Sequence, residues 1–207
     1  MDITELYKEI DREILHSDKP SLYINKIKEE LKKSQYPLKF IGELENIEQE
    51  PKYHPEGNVF NHTMEVLDLA AGKKEESEDK RAFMWGALLH DIGKIKATKV
   101  RKGKITAYNH EKIGSEMAEE FLGFFNEDKD FIKKVKAIIR WHMEPLFVIK
   151  DLPFKDIETM KKEVNPKEIY LLSLCDRMGR GPLTEEQKKE IESGLNKFLD
   201  ICMDNNM

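Results

Sequence analysis

The chain has 207 residues, 39% of them hydrophobic, and a formal net charge of -5 from 35 Lys+Arg against 40 Asp+Glu. That apolar share supports a packed core rather than a disordered acidic tail, and the acidic balance excludes a wide cationic face of the kind that wraps duplex DNA. The longest apolar run, 82–89, is eight residues long, whereas a membrane-spanning helix needs roughly 20.

The start Met1-Asp2-Ile3-Thr4-Glu5 has neither the basic nor the apolar stretch of a signal peptide. The two cysteines, Cys175 and Cys202, can build neither a disulfide framework nor a Cys-based zinc site. A cytoplasmic location is therefore expected. The length fits one domain over 1–207, with 1–40 as an N-terminal helical extension, 59–182 as a core and 184–204 as a C-terminal helix.

Apolar residues recur at helical spacing almost throughout, which predicts an all-α fold. Leu6, Ile10 and Ile14 mark a first helix, and Leu22, Ile24, Ile27 and Leu31 mark a second, opened by Ser17-Asp18-Lys19-Pro20. From 40 to 58 the pattern is irregular, broken by Pro51, Pro55 and Gly57. Helices are then expected at about 59–71, 79–91, 110–125, 130–142 and 166–178, the last started by Asn165-Pro166. A final helix begins at Thr184, which forms a capping box with Gln187. The one β candidate is a short hairpin at 99–108 turning at Lys102-Gly103.

The polar residues on these helices carry the chemistry. Phe131, Val135, Ile138 and Ile139 form one stripe, and His142 is its next member, so His142 points inward. Asp176 shares a face with Ile169 and Leu172, and His110 one with Met117 and Phe121. His90 and Asp91 end a run that is apolar on all sides, and His62 lies at the edge of the arc carrying Val59, Val66 and Leu69. Inward carboxylates need partners, and two of them among several imidazoles suggest a divalent cation. The mixed N/O donor set suits a transition metal, or more weakly Mg.

His62, then the doublet His90-Asp91 followed by Ile92-Gly93-Lys94, then Asp176, resembles the signature of the HD-domain superfamily of metal-dependent phosphohydrolases. More narrowly, 54–63, 88–94, 109–115 and 175–181 resemble, in order, segments of the HD domain of bacterial tRNA nucleotidyltransferases. The similarity runs from about 1 to 182, with 1–40 matching in helical pattern alone. Those enzymes carry an N-terminal catalytic head with a Gly-rich loop and paired carboxylates, which this sequence lacks, so nucleotide addition is not expected.

The resemblance implies an HD-type helical bundle with His62, His90, Asp91 and Asp176 as ligands of a divalent ion (Mn, Fe, Co, Ni, Zn or Mg), Asp91 bridging if a second ion binds. It implies Asp91, Lys94 and Asp176 as catalytic residues, with Asp176 also orienting the attacking water. His110 and His142 are second-ion ligands or phosphate contacts, and both roles stay open. Lys94 is placed to meet a substrate phosphate. Arg177 and Arg180 either fork onto a phosphate or cap their helix, Arg177 being the better candidate, and His54 lines the site or orders its loop. The basic set Lys96, Lys99, Arg101, Lys102 and Lys104 is a phosphate-attracting patch or a solvated hairpin.

The expected activity is hydrolysis of a nucleotide-like phosphoester, a 2',3'-cyclic phosphodiester or a phosphomonoester, with a small nucleotide or an RNA end as partner and no membrane. A nucleoside triphosphatase would need more cations near the phosphates than the sequence locates. The rival from another class is a non-catalytic RNA- or partner-binding module with a structural metal.

Overall fold

The computed structural model describes residues 2–204; Met1 and 205–207, which the expected limits 1–207 include, lie outside the described residues. The chain runs through α1 (Ile3–His16), α2 (Pro20–Lys26), α3 (Lys28–Lys33), α4 (Lys39–Glu43), α5 (Val59–Ala71), α6 (Lys80–Leu89), α7 (Lys94–Ala97), the hairpin β1 (Lys99–Arg101) and β2 (Lys104–Thr106), α8 (His110–Phe124), α9 (Lys129–Trp141), α10 (Glu144–Ile149), α11 (Ile157–Glu163), α12 (Pro166–Met178) and α13 (Glu185–Met203). The fold is all-α apart from that hairpin, whose register pairs Val100 with Ile105. Lys102 and Gly103 both take positive φ (51° and 74°), as a two-residue hairpin turn requires.

Helix starts follow local chemistry. Asn58, Asp79, Asp128, Asn165 and Thr184 each cap a helix by accepting from a backbone N–H of the first turn, and Gln187 completes the reciprocal box at Thr184. The apolar run of α6 is buried from Ala82 to Leu89, and α1, α5, α9 and α12 pack around it. Tyr7 of α1 stacks on Trp85 and on Phe125 (ring centroids 4.9 and 3.9 Å) and donates to Glu127 at 2.8 Å. Arg81 is held by Asp11 and Glu127, and Trp85 donates to Asp11. A second, smaller core of Trp141, Val148, Met160, Ile169 and Phe198 joins α9 to α13.

Several boundaries differ from the sequence expectation. The second helix is two short ones broken at Ile27, and Leu22 is 68% exposed because it lies across the helix from buried Ile24. Leu69 is 40% exposed, whereas His62 is fully buried, so His62 sits within the buried arc of α5 and Leu69 at its rim. Helix α6 ends at Leu89, leaving His90 and Asp91 in the following turn. Helix α4 runs into the segment 40–58 expected to be irregular, and α10 was not among the expected helices; both are too short to show periodicity, although Pro145 in the first turn of α10 is a start signal. Val148 belongs to the smaller core, and Leu146 lines a surface cleft.

Two glycines fix how the site is assembled. A Cβ on Gly93 would lie 2.0 Å from the His110 carbonyl oxygen and 2.5 Å from the Gly114 nitrogen, so only glycine lets the turn after Asp91 lie against α8. A Cβ on Gly86 would lie 2.6 Å from Ile138, which sets the closeness of α6 and α9. Gly93→Ala is expected to destabilise the fold by at least about 1–3 kcal/mol. Gly123→Ala, with nothing within 4 Å of its added methyl, should be neutral or stabilising by up to about 1 kcal/mol. Denaturant unfolding of the two variants checks both signs.

Candidate metal centre

Five helices deliver one polar cluster. His62 lies one turn into α5, His90 and Asp91 follow α6, His110 opens α8, His142 follows α9, and Asp176 sits in the last turns of α12. All six are buried, with relative exposures between 0% and 7%.

Asp91 is the hub. Its Oδ2 lies 3.3 Å from His90 Nε2, 3.9 Å from His62 Nε2 and 2.6 Å from Lys94 Nζ. Its Oδ1 lies 3.3 Å from His110 Nε2 and 3.9 Å from His142 Nε2. Potential ligand atoms of His62, His90 and Asp91 lie within 4.8 Å of one another, as do those of Asp91, His110 and His142, so Asp91 belongs to two candidate ion sites. Asp176 belongs to neither trio. Its Oδ1 pairs with His62 Nε2 at 3.0 Å, and Arg180 Nη2 donates to both its oxygens at 3.0 and 2.9 Å.

Three imidazoles are oriented in the same way. Nδ1 of His90, His110 and His142 each meets the carbonyl oxygen three residues earlier, of Ala87, Ala107 and Ile139, at 2.8, 2.7 and 2.7 Å. A carbonyl only accepts, so each Nδ1 carries the proton and each neutral ring presents a bare Nε2 lone pair. His90 Nε2 is buried with no hydrogen-bond partner, and the Nε2 atoms of His110 and His142 face each other at 3.2 Å. Two lone pairs at that distance are stabilised by a proton or a cation, and an unpartnered buried acceptor costs free energy. These features fit a bound cation, and the mixed imidazole and carboxylate donors fit a transition metal or Mg.

Burial opposes ionisation of Asp91, but the Lys94 ammonium outweighs it and holds the carboxyl well below its usual range. Arg180 and His62 do the same for Asp176. Burial pushes His142 down to about 3, so it is neutral near pH 7. Burial also disfavours charge on His62, but Asp176 and Glu56 reverse the balance and raise it to about 9.

The structure also gathers residues that the sequence reading left out or ranked low. The Glu56 side chain is 1% exposed and places Oε1 at 2.9 Å from His62 Nδ1 and 2.8 Å from His54 Nδ1. Gln49 accepts from Lys94 at 2.7 Å, so this lysine, 12% exposed, is fixed between Gln49 and Asp91. Arg180 clamps Asp176, whereas Arg177 stands on the cleft wall. Arg180 lies two residues past the end of α12, and its spacing of four from Asp176 was the available signal for the pair. Lys96, Lys99, Arg101, Lys102 and Lys104 are exposed on and beside the hairpin and do not line the cleft over the cluster.

The family model described as "HD domain" matches residues 59–181, more than half of the chain. Among curated proteins, the chain is similar to the "Multifunctional CCA protein" of Mannheimia succiniciproducens, at 29% identity over 138 residues that cover 62% of this chain and 32% of that protein. Proteins of the same name match from Pasteurella multocida, at 37% over 75 residues (36% and 17% of the two chains), and Halorhodospira halophila, at 25% over 147 residues (68% and 34%). The chain thus spans about a third or less of these relatives.

Adding Mn2+, Co2+ or Ni2+ to chelator-treated protein should raise the melting temperature, because an ion that binds only the folded state contributes about 2.7 kcal/mol at a hundred times its Kd. Asp91→Asn, tested by the same thermal scan, should lose most of that response, and an equal shift in this variant would place the ion elsewhere.

Proposed function

The chain belongs to the HD domain family, and we propose that it is a metal-dependent phosphohydrolase acting on a nucleotide-like phosphoester, a 2',3'-cyclic phosphodiester or a phosphomonoester. The observation that carries the reading is the buried Asp91 carboxylate, both oxygens facing imidazoles whose bare Nε2 atoms point at them. On this reading His62, His90, Asp91 and Asp176 hold a divalent ion, Mn, Fe, Co, Ni, Zn or Mg, and Asp91 with His110 and His142 holds a second. A divalent ion there supplies polarisation of a phosphoryl oxygen and lowers the pKa of a bound water from 15.7 toward about 7.

The chain's own residues supply positioning and charge. Asp176, ionised and held by Arg180, is placed to accept a hydrogen bond from the attacking water and orient it. Lys94, fixed by Gln49 at the floor of the cleft, offers its ammonium to a non-bridging phosphate oxygen as negative charge grows there. The neutral state of His142 suits a ligand or an acceptor rather than a proton donor. Burial of the cluster strengthens each of these interactions by excluding water. Similarity to proteins named "Multifunctional CCA protein" supports an RNA end as a candidate substrate, and among the described residues no helix is long and apolar enough to cross a membrane.

Turnover of adenosine 2',3'-cyclic phosphate and p-nitrophenyl phosphate, each with Mn2+, Ni2+, Co2+ or Mg2+, tests the reading. Asp91→Ala should reduce hydrolysis to background with the helical circular dichroism retained. Lys94→Ala should keep its metal and lose roughly 10²-fold in kcat. Wild-type rates in Asp91→Ala would sink the reading, and bound metal without turnover of any phosphoester would favour the binding module.

A further inference from the structure

The cleft over the cluster has two arms that share Tyr53, His142, Leu146, Lys150, Asp176 and Arg180. One arm, of about 620 Å3, runs over Lys94 to β2 and Tyr108; the other, of about 440 Å3, runs past Arg177 to Leu183 and Gln187 at the start of α13. Each is large enough for part of a nucleotide.

The arms differ in charge. In the first, Lys94 is already paired with Asp91, and Glu48 and Glu50 stand on the wall. In the second, Arg177 and Lys52, which the first arm lacks, form no salt bridge among the described residues, nor does the shared Lys150, and the one wall carboxylate besides Asp176 is Glu190. Arg177 is half buried, and burial pushes its pKa down. Of the other half-buried arginines, Arg81 is met by two carboxylates, Arg180 by Asp176, and Arg140 stacks on the Trp141 ring, so Arg177 is the one of the four without a carboxylate or an aromatic partner among the described residues. An unpaired guanidinium taken partly out of water is costly unless an anion reaches it, and its planar fork matches a phosphate. Lys52 lies over the Tyr53 ring at 5.5 Å, so a cation and an aromatic face stand together where the two arms meet.

We infer that the Arg177 arm is a second phosphate subsite, and that the substrate is the end of a ribonucleotide strand whose next phosphate binds there while the terminal phosphate lies at the His/Asp cluster. The choice of which phosphate is attacked rests on the phosphohydrolase reading; the subsite itself rests on binding. In the other arm, 65% exposed Tyr108 presents a ring face to an uncharged nucleoside.

Calorimetric titration of the intact chain loaded with Mn2+ tests this with three probes: adenosine 3'-monophosphate, adenosine 3',5'-bisphosphate and the dinucleotide ApAp. The bisphosphate and ApAp should each bind about tenfold more tightly than the monophosphate, as expected for one added charge-assisted contact. Arg177→Gln and Lys52→Gln should each bring that ratio down. Lys52 is exposed, so its variant keeps the test open if Arg177→Gln fails to fold. Equal affinities for mono- and bisphosphate, or a ratio unchanged in both variants, would overturn the subsite. ApAp binding no better than the monophosphate would overturn the strand end. Turnover of adenosine 2',3'-cyclic phosphate by the same preparations is read separately: none, with the bisphosphate advantage intact, would remove the phosphohydrolase reading and leave the subsite standing.

Discussion

A carboxylate buried to 2% exposure at the meeting point of five helices has to be compensated from both of its oxygens, and the architecture follows from how Asp91 is compensated. Lys94 arrives from α7 and His90 from the same turn, while His62, His110 and His142 are brought by α5, α8 and α9. Each of these elements is anchored elsewhere by apolar packing, so the polar groups are carried into place rather than doing the anchoring. Removing one partner from such a set leaves uncompensated charge in a low dielectric. The backbone carbonyls of Ala87, Ala107 and Ile139 form a further layer, because they decide which nitrogen of each ring faces inward.

The close approaches in the backbone serve the same centre. Gly93 lets the turn that carries Asp91 lie against the start of α8, which is where His110 sits. Gly86 brings α6 onto Ile138 of α9, one turn before His142. The smaller core of α9 to α13 stands beside the larger one, and Ser173 of α12 donates to the His142 carbonyl at 3.0 Å across the junction. The Arg177 arm of the cleft runs from the end of α12 to the start of α13.

What was legible in the sequence was what local rules determine. The apolar stripe of α9 places His142 inward, the capping box at Thr184 starts α13, and Lys102-Gly103 turns the hairpin, because periodicity, caps and positive φ are properties of adjacent residues. The HD motif likewise pointed to one family. The departures are at short elements and at loops. Helices of five or six residues such as α4 and α10 contain too few turns to show a face. Glu56 and Gln49 meet their partners only through the course of 44–58, which no periodicity describes. The cations of the Arg177 arm come from three separate segments, and nothing local to Lys52, Lys150 or Arg177 says that they share a wall.

The placement of the two tryptophans gives the chain two distinct optical reporters. Trp85 is wholly enclosed between Tyr7 and Phe121, with its indole N–H on Asp11. Its emission therefore belongs to the junction of α1 with α6 and follows loss of the larger core. Trp141 immediately precedes His142, donates to Glu163 at 2.7 Å and lies under the Arg140 guanidinium at 4.3 Å. Its ring belongs to the smaller core, on the backbone that carries an inward histidine. Fluorescence from single-tryptophan forms would thus separate events at the floor of the cleft from unfolding of the helices beneath it, without any added label.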